Sequence, residues 1–322
     1  MTVLITGGTG FIGVNIAEEL TDAGIDVVLL DMNDLPEDAK KSLNHRKGNT
    51  HFFKANVLKG EQLDKVIKNY NINKIIHAAV ITPGLKREKS QSKLIAQVNF
   101  LGTVEILEVA KRNNVEKLVY LSSASVYGDA TNDVDWISEK DTYPRPRALY
   151  AITKFAAERT ALRYKELFDM EIVVGRIGGV FGPWERYTGF RDTMSGPFLT
   201  TRAALLGEDV VLPNSDVKDW VYSREIAKSV VALLLAKEHK YDVYHLSSGY
   251  IWTVKDWCEK LKEVFPNFNY EVLADPGEIE RPPLLIERLK EDIGYNPQYN
   301  LDKSFKDYID WVNKVSEFWM YK

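Results

Sequence analysis

Only one of the 322 residues is cysteine, Cys258, so the chain cannot form an internal disulfide or gather a thiolate cluster around a metal. Histidine is scarce too. The five present show no metal-ligand spacing, and no metal site is expected. Neither sign of charge dominates: 42 Lys and Arg stand against 46 Asp and Glu, for a formal net charge of −4. That balance leaves no electrostatic footprint for nucleic acid or an anionic membrane. Long hydrophobic runs are also missing. "SVVALLLA", from Ser229 to Ala236, is far too short to span a bilayer and reads as a buried helix face. The opening MTVLITGG lacks a basic stretch followed by a long apolar one, so no signal peptide is expected. These absences predict a soluble, cytoplasmic protein with no nucleic-acid or membrane partner. Hydrophobic residues make up 45%, which is enough for a packed core rather than a disordered chain.

What is present is alternation. "VLIT" at Val3–Thr6, "DVVLLD" at Asp26–Asp31, "HFFKANV" near residue 53, "NKIIHAAV", "KLVYLSS" at Lys117–Ser123 and "EIVVGRIG" at Glu171–Gly178 all read as strands. Helical patterns separate them, including one long helix from about Ser92 to Arg112 and the Gly- and Pro-free "YAITKFAAERTALRYKELF". Strands alternating with helices predict a doubly wound parallel sheet of Rossmann type. After Gly178 the texture breaks into Gly- and Pro-rich stretches. This predicts a nucleotide-binding domain over residues 1–178 and a smaller substrate-binding lobe over 179–322. "DWVYSREIAKSVVALLLA" and "DVYHLSSG", near 219–247, are candidates for returning to the sheet.

Directly after the first strand comes "TGGTGFIG". Glycines at 7, 10 and 13 allow a tight turn and close backbone approach, and the following helix aims free N–H groups at an anion. With Phe11 and Ile12 between the last two glycines, this stretch is a candidate cradle for a dinucleotide pyrophosphate. Asp31, ending the second strand, stands where a carboxylate accepts from adenosine ribose hydroxyls. It would repel a 2′-phosphate, and no Arg follows it, which favours NAD over NADP.

Tyr150 and Lys154 lie four apart on one helix and so share a face. A phenol with a reference pKa of roughly 10 is a poor base at neutral pH, but a neighbouring ammonium and a cationic nicotinamide favour the phenolate. The lysine can also hold the nicotinamide ribose. Ser123 ends a strand, at the edge where open α/β sheets bind ligands, and its hydroxyl can polarise a substrate oxygen. His77 follows another strand and reads as structural or cofactor-adjacent, not as a general base.

"TGGTGFIG", Asp31, "HAA" at His77–Ala79, "VNFLGT" with Asn99, "LSSASVYG", "YAITK" and Arg176 followed by "FGP" together resemble the extended short-chain dehydrogenases/reductases of the NAD-dependent epimerase/dehydratase family. The resemblance covers most of the first 183 residues; "DWVY" at Asp219 and "RPP" at Arg281 extend it. It implies NAD held by Gly7, Gly10, Phe11, Ile12, Gly13, Asp31, Asn56, Val57, Ala78, Ala79, Asn99, Tyr150 and Lys154. It implies catalysis by Ser123, Tyr150 and Lys154, a sugar-like substrate in the smaller lobe, and a homodimer joined through the two long helices.

Departures from the family pattern bear on subtype. Sugar dehydratases carry acid just after the catalytic Ser or Thr, whereas here Ala124 and Ser125 follow Ser123, as in the 4-epimerases. The Asn that touches a nucleotide-sugar diphosphate is replaced by Gly179. The family's Arg before the "DWV" element is Lys218, which keeps the charge but loses the guanidinium fork. Asn56 replaces the usual adenine-facing Asp. Arg186 and Arg191 in "PWERYTGFRD" either bind a carboxylate or phosphate or lie on a solvated surface. Thr82, Ser125, Gly179, Arg186, Arg191, Lys218 and Arg281 are therefore the candidate substrate residues. Two functions stay open. One is a nucleotide-sugar 4-epimerase working through a keto intermediate. The other is an NAD-dependent dehydrogenase of a small sugar, sugar acid or hydroxy acid. A non-catalytic NAD sensor on the same fold is a weaker third.

Overall fold

The computed structural model describes residues 1–132, 134–274 and 281–315. Its centre is a seven-stranded parallel sheet. The strands are β1 (Thr2–Thr6), β2 (Asp26–Asp31), β3 (Thr50–Lys54), β4 (Lys74–His77), β5 (Lys117–Ser123), β6 (Ile172–Ile177) and, after β7 (Gly179–Phe181), β8 (Val210–Leu212), β9 (Val217–Lys218) and β10 (Trp220–Tyr222), the late strand β11 (Val243–Leu246). The spatial order is β3-β2-β1-β4-β5-β6-β11, the doubly wound Rossmann arrangement. All six strands read from the alternating pattern lie in it, and "DVYHLSSG" supplies the seventh.

Period two explains how the sheet is covered. Val3, Ile5, Val27, Leu29, Val119 and Val173 pack into one core, while Leu4, Val28, Leu30, Leu118, Ile172 and Val174 pack into another on the opposite face. Both faces are dry, so the strands read as continuous apolar runs. The helices responsible are α1 (Phe11–Asp22), α2 (Glu37–Asn44), α3 (Gly60–Tyr70), α4 (Leu85–Ser90), α5 (Ser92–Ala96), α6 (Gly102–Arg112), α7 (Leu149–Phe168), α8 (Gly196–Leu206) and α9 (Ser223–Leu235). "SVVALLLA" forms most of α9, whose long contact with α1 buries Val230, Leu233 and Leu234.

The helix expected from Ser92 to Arg112 is interrupted. A π-type turn over Gln97–Leu101 separates α5 from α6. Within it Asn99 turns inward, accepting from Ile81 N at 2.8 Å and donating to Ile81 O at 3.0 Å. Such a bulge re-aims a side chain without ending the helix.

Beyond β6 the chain builds three two-stranded pieces: β7 with β10, β9 with β12 (Trp252–Thr253), and β8 with β13 (Tyr270–Val272). They pack with α10 (Val254–Val264), α11 (Glu287–Ile293) and α12 (Leu301–Val312). An aromatic knot holds them: the Phe181 ring lies 5.2 Å from Trp252, 5.1 Å from Trp257 and 5.4 Å from Tyr222. Among the described residues no helix is long and apolar enough to cross a membrane.

Candidate active site

Two adjoining clefts open along the carboxyl ends of β1, β2, β4, β5 and β6. The first has about 940 Å³ of empty space, including its mouth, and is lined by Gly7, Gly10, Phe11, Ile12, Gly13, Asp31, Asn56, Val57, Ala78, Ala79, Thr82 and Arg191. Its floor is backbone. Gly7 takes φ +68°, and a Cβ there would lie 2.8 Å from Ala79 Cα; a Cβ on Gly13 would lie 2.3 Å from Gly7 O. Only glycine allows helix and turn to pack this closely. Gly10 caps α1 with no side-chain hydrogen bond, so the first N–H groups and the positive helix end remain available to an anion.

Asp31 stands at the far end of this floor. Its carboxylate accepts from Thr9 N at 3.2 Å and Asn33 N at 3.0 Å, which holds it at the mouth of β2 with further lone pairs to spare. These residues fit a dinucleotide: an uncapped helix start for the pyrophosphate and a fixed carboxylate for a ribose. The buried Nη1 of Arg186, which has no acceptor, adds a cation at the same place.

Arg186 is thus displaced from its expected role. Its Nη2 donates to Thr9 O at 2.6 Å, on the glycine cradle, and it lines neither cleft wall as a substrate residue would. Burial draws its guanidinium down to about 10, while Asp31 favours the charge. The reason is chain path: residues 186–192 double back over the first cleft as a strap. Asn33 Nδ2 donates to Thr188 O at 2.9 Å, Thr82 N to Phe190 O at 2.8 Å, and Asp192 N to Thr82 O at 3.0 Å. Arg87 closes the far end with a two-pronged bond to Asp192, at 2.7 and 2.8 Å.

The second cleft adjoins the first and gathers Thr82, Ser123, Tyr150, Lys154, Gly179, Arg191, Lys218 and Arg281. Helix α7 presents Tyr150 and Lys154 one turn apart. Ala148 cannot cap it, so the Glu88 carboxylate takes the free N–H of Leu149 at 2.8 Å. Lys154 Nζ donates to the Leu121 carbonyl and lies 4.2 Å from the centre of the Tyr120 ring. Burial pulls this ammonium down to about 7, against the pull of Glu158. The Tyr150 phenol is raised by burial, and Ser123, Arg191 and Thr82 act in the opposite direction.

Lys218 and Arg281 reach the place where Gly179 has no side chain. A Cβ there would stand 3.8 Å from Arg281 Nη2 and 3.9 Å from Lys218 Cδ. Lys218 pairs with Asp216 at 2.5 Å and Arg281 with Asp219 at 3.4 Å; the Nε of Arg281 is buried without an acceptor. Among the described residues no Asp or Glu lines this cleft.

Two expected residues stand behind the walls. Asn99 is buried and braces Ile81, which does line the first cleft, so it shapes that cleft's wall from the rear. Ser125 donates to Ser123 Oγ at 3.0 Å and lies outside the second cleft. His77 is neutral: burial depresses it to about 3, and its nitrogens meet the hydroxyls of Thr6 at 2.6 Å and Thr103 at 3.1 Å.

The profile of the NAD dependent epimerase/dehydratase family matches residues 3–246. The chain belongs to this family. Among relatives, it is 25% identical over 318 residues to a putative UDP-glucose 4-epimerase of Methanocaldococcus jannaschii, covering 96% of this chain and 98% of that one. It is similar in structure to the UDP-glucose 4-epimerase of Thermotoga maritima solved with UDP-glucose (TM-score 0.83, 22% identity, covering 98% and 99% of the two chains). It is likewise similar to the Thermus thermophilus UDP-glucose 4-epimerase solved with NAD (TM-score 0.79, 25% identity, covering 98% and 100%).

The strap and the residues that orient it leave no family motif in the sequence. Thr188 and Phe190 face the first cleft, and Met194, Ser195 and Trp220 the second. Glu185, wholly buried, accepts from Arg191 Nη2 at 2.8 Å and from Ser195 N at 2.8 Å. Nothing periodic marks this stretch; its only signal was a pair of arginines among glycines and aromatics.

Proposed function

We propose that this family member is an NAD-dependent nucleotide-sugar epimerase of the 4-epimerase kind. NAD, when bound, supplies an acceptor that takes a hydride from the substrate and can return it. In this reading Gly7, Gly10 and Gly13 with the start of α1 hold the pyrophosphate, and Asp31 holds the adenosine ribose. The Tyr150 phenol oxygen takes the proton from a sugar hydroxyl and later gives it back, and Ser123 orients the sugar oxygen. Lys154 supports the set from the Leu121 carbonyl. Among the described residues no carboxylate lines the second cleft, and Ala124 and Ser125 follow Ser123, which favours epimerisation over dehydration.

The observation that carries the reading is the meeting of Lys218 and Arg281 across Gly179. Two cations stand where the family's diphosphate-binding Asn is missing, and charge-assisted hydrogen bonds from them suit a diphosphate. Calorimetric titration of the NAD-loaded protein with UDP and dTDP tests this. Saturable binding is expected, weakened at least tenfold by Arg281→Ala, with stereochemical inversion of a bound sugar and no net NADH. A second reading, a dehydrogenase of a small sugar or sugar acid, is favoured by the aspartates already paired to both cations. It requires no heat with millimolar nucleotide and a rise in NADH absorbance. The homodimer is proposed through α5–α6 and α7, where Leu94, Leu101 and Ile152 are exposed; a monomer by sedimentation velocity would remove it.

A further inference from the structure

Two serines end β5 side by side, and the alternation of a strand sends them opposite ways. Ser122 turns into the core and donates to buried Glu158 at 2.7 Å, while Ser123 turns into the second cleft. The chain then makes a single 3₁₀ turn over Ala124–Tyr127, which brings Ser125 back onto Ser123. The turn is fixed from below. Ala124, Val126 and Tyr127 are buried, and the Tyr127 hydroxyl is clamped between Arg176 at 2.6 Å and His245 at 2.5 Å. Gly128 closes it at φ +48°, where a Cβ would lie 2.2 Å from Arg145 O.

A hydroxyl oxygen has two lone pairs and one proton. The Ser123 oxygen meets Ser125 twice, its backbone N at 3.2 Å and its hydroxyl at 3.0 Å. The amide can only donate, so it takes one lone pair outright. Between two hydroxyls either can donate. When Ser125 does, both lone pairs of Ser123 are filled, and its own proton is left for the cleft. The surroundings favour that arrangement. Ser123 and Tyr150 line the same cleft. Burial raises the Tyr150 phenol, and its hydrogen bond with Ser123 opposes the rise. Only a proton donated by Ser123 acts in that direction.

We propose that Ser125 is a positioning residue, one that makes Ser123 a pure donor toward the substrate oxygen. The proposal rests on Ser123 touching that oxygen, as in the function proposed above. A sugar hydroxyl that accepts from Ser123 keeps its own proton for the Tyr150 oxygen. The keto oxygen left behind has only lone pairs, and it accepts from the same O–H. A Ser123 free to accept would compete with Tyr150 for the sugar's proton. The arrangement serves a nucleotide sugar and a small sugar alike.

Neutron diffraction from deuterium-exchanged crystals of the full-length protein, with and without NAD, reads the protons directly. The Ser125 deuteron is expected on the line to Ser123 Oγ, and the Ser123 deuteron turned into the cleft. A Ser123 deuteron pointing at Ser125 Oγ overturns the proposal, and the map needs no variant to fold. Kinetics with a nucleotide sugar read the consequence. Ser125→Ala should lower kcat by about tenfold while KM stays within about twofold, and Ser125→Thr, which restores the hydroxyl, should recover most of the loss. In a Ser123→Ala background, Ser125→Ala should cost less than about twofold more, because it acts only through Ser123. A full further loss in that background would make Ser125 a direct substrate ligand and overturn the proposal. So would an unchanged kcat in folded Ser125→Ala. If no sugar is turned over, the epimerase reading falls and the neutron map still decides Ser125.

Discussion

The floor and the roof of the first cleft are built in opposite ways. The floor is main chain: three glycines, a helix start and the ends of β1, β2 and β4, with most of its contacts made between neighbouring segments. The roof is held by long-range contacts, main-chain bonds to Thr82 and side chains that travel far. Arg186 reaches Thr9 across 177 residues, Asn33 reaches Thr188 across 155, and Arg87 reaches Asp192 across 105. The floor's geometry is fixed by backbone packing that no larger residue tolerates. The roof is held by polar contacts that can open one at a time, as the proposed entry of a dinucleotide requires. The second cleft is mixed in the same way, with Tyr150 and Lys154 one helical turn apart but Gly179, Lys218 and Arg281 drawn from three segments.

The sharpest division between binding and chemistry is expected at Tyr150. If the floor holds the cofactor and the second cleft performs the reaction, Tyr150→Phe should leave NAD affinity within about threefold while turnover falls by 10²-fold or more, the usual scale for a general acid–base group. Equilibrium dialysis of NAD alongside steady-state kinetics reads both. A comparable loss in both quantities would erase the division.

The same contrast explains what the sequence revealed. The sheet, the glycine cradle, Asp31 and the Tyr150–Lys154 pair were readable because each is a local pattern: period two, a glycine spacing, a strand end, an i,i+4 face. Arg186 was misplaced because nothing in "PWERYTGFRD" tells which way the loop folds back. Asn99 and Ser125 were expected at the ligand because motif membership does not distinguish a wall residue from the brace behind it. The buried Glu158–Arg176–Tyr127–His245 chain, with bonds of 2.5 to 3.0 Å, joins α7 to β6 and β11 through residues far apart in sequence. Breaking its ion pair from one side should cost about 3–5 kcal/mol, so it is part of the scaffold that holds the second cleft.

A smaller effect is expected from the floor itself. Asp31→Ala should narrow the preference for NAD over NADP by about tenfold, since it removes a carboxylate that repels a 2′-phosphate. Arg186 sharpens this expectation. With its aspartate neighbour gone, its positive field is left uncompensated beside the ribose position, so NADP should gain more than NAD loses. Fluorescence titration with both cofactors measures it. Equal affinity for the two in the unmodified protein would mean that Asp31 does not meet the ribose.

The smallest expected effect lies at the roof's latch. The Arg87–Asp192 pair has good two-pronged geometry, and Gly84 N adds a third bond to the carboxylate at 3.0 Å. Its side chains are still 21% and 25% exposed, so water and salt screen it, and a pair of this kind is worth about 1 kcal/mol at most. Arg87→Ala should therefore speed NAD release by about fivefold, without changing the cradle proposed to set cofactor choice or the phenol proposed to set turnover. Arg87 holds the Asp192 carboxyl below its ordinary 3.8, so the latch's contribution is fully present at neutral pH. It is lost only as acid protonates Asp192 below that value. Stopped-flow displacement of bound NAD, at low and high salt, is the measurement. Faster release at high salt in the unmodified protein, and no salt effect in Arg87→Ala, would assign the retention to this pair. Identical release rates in both proteins would mean that the strap's main-chain bonds to Thr82 hold the roof without it.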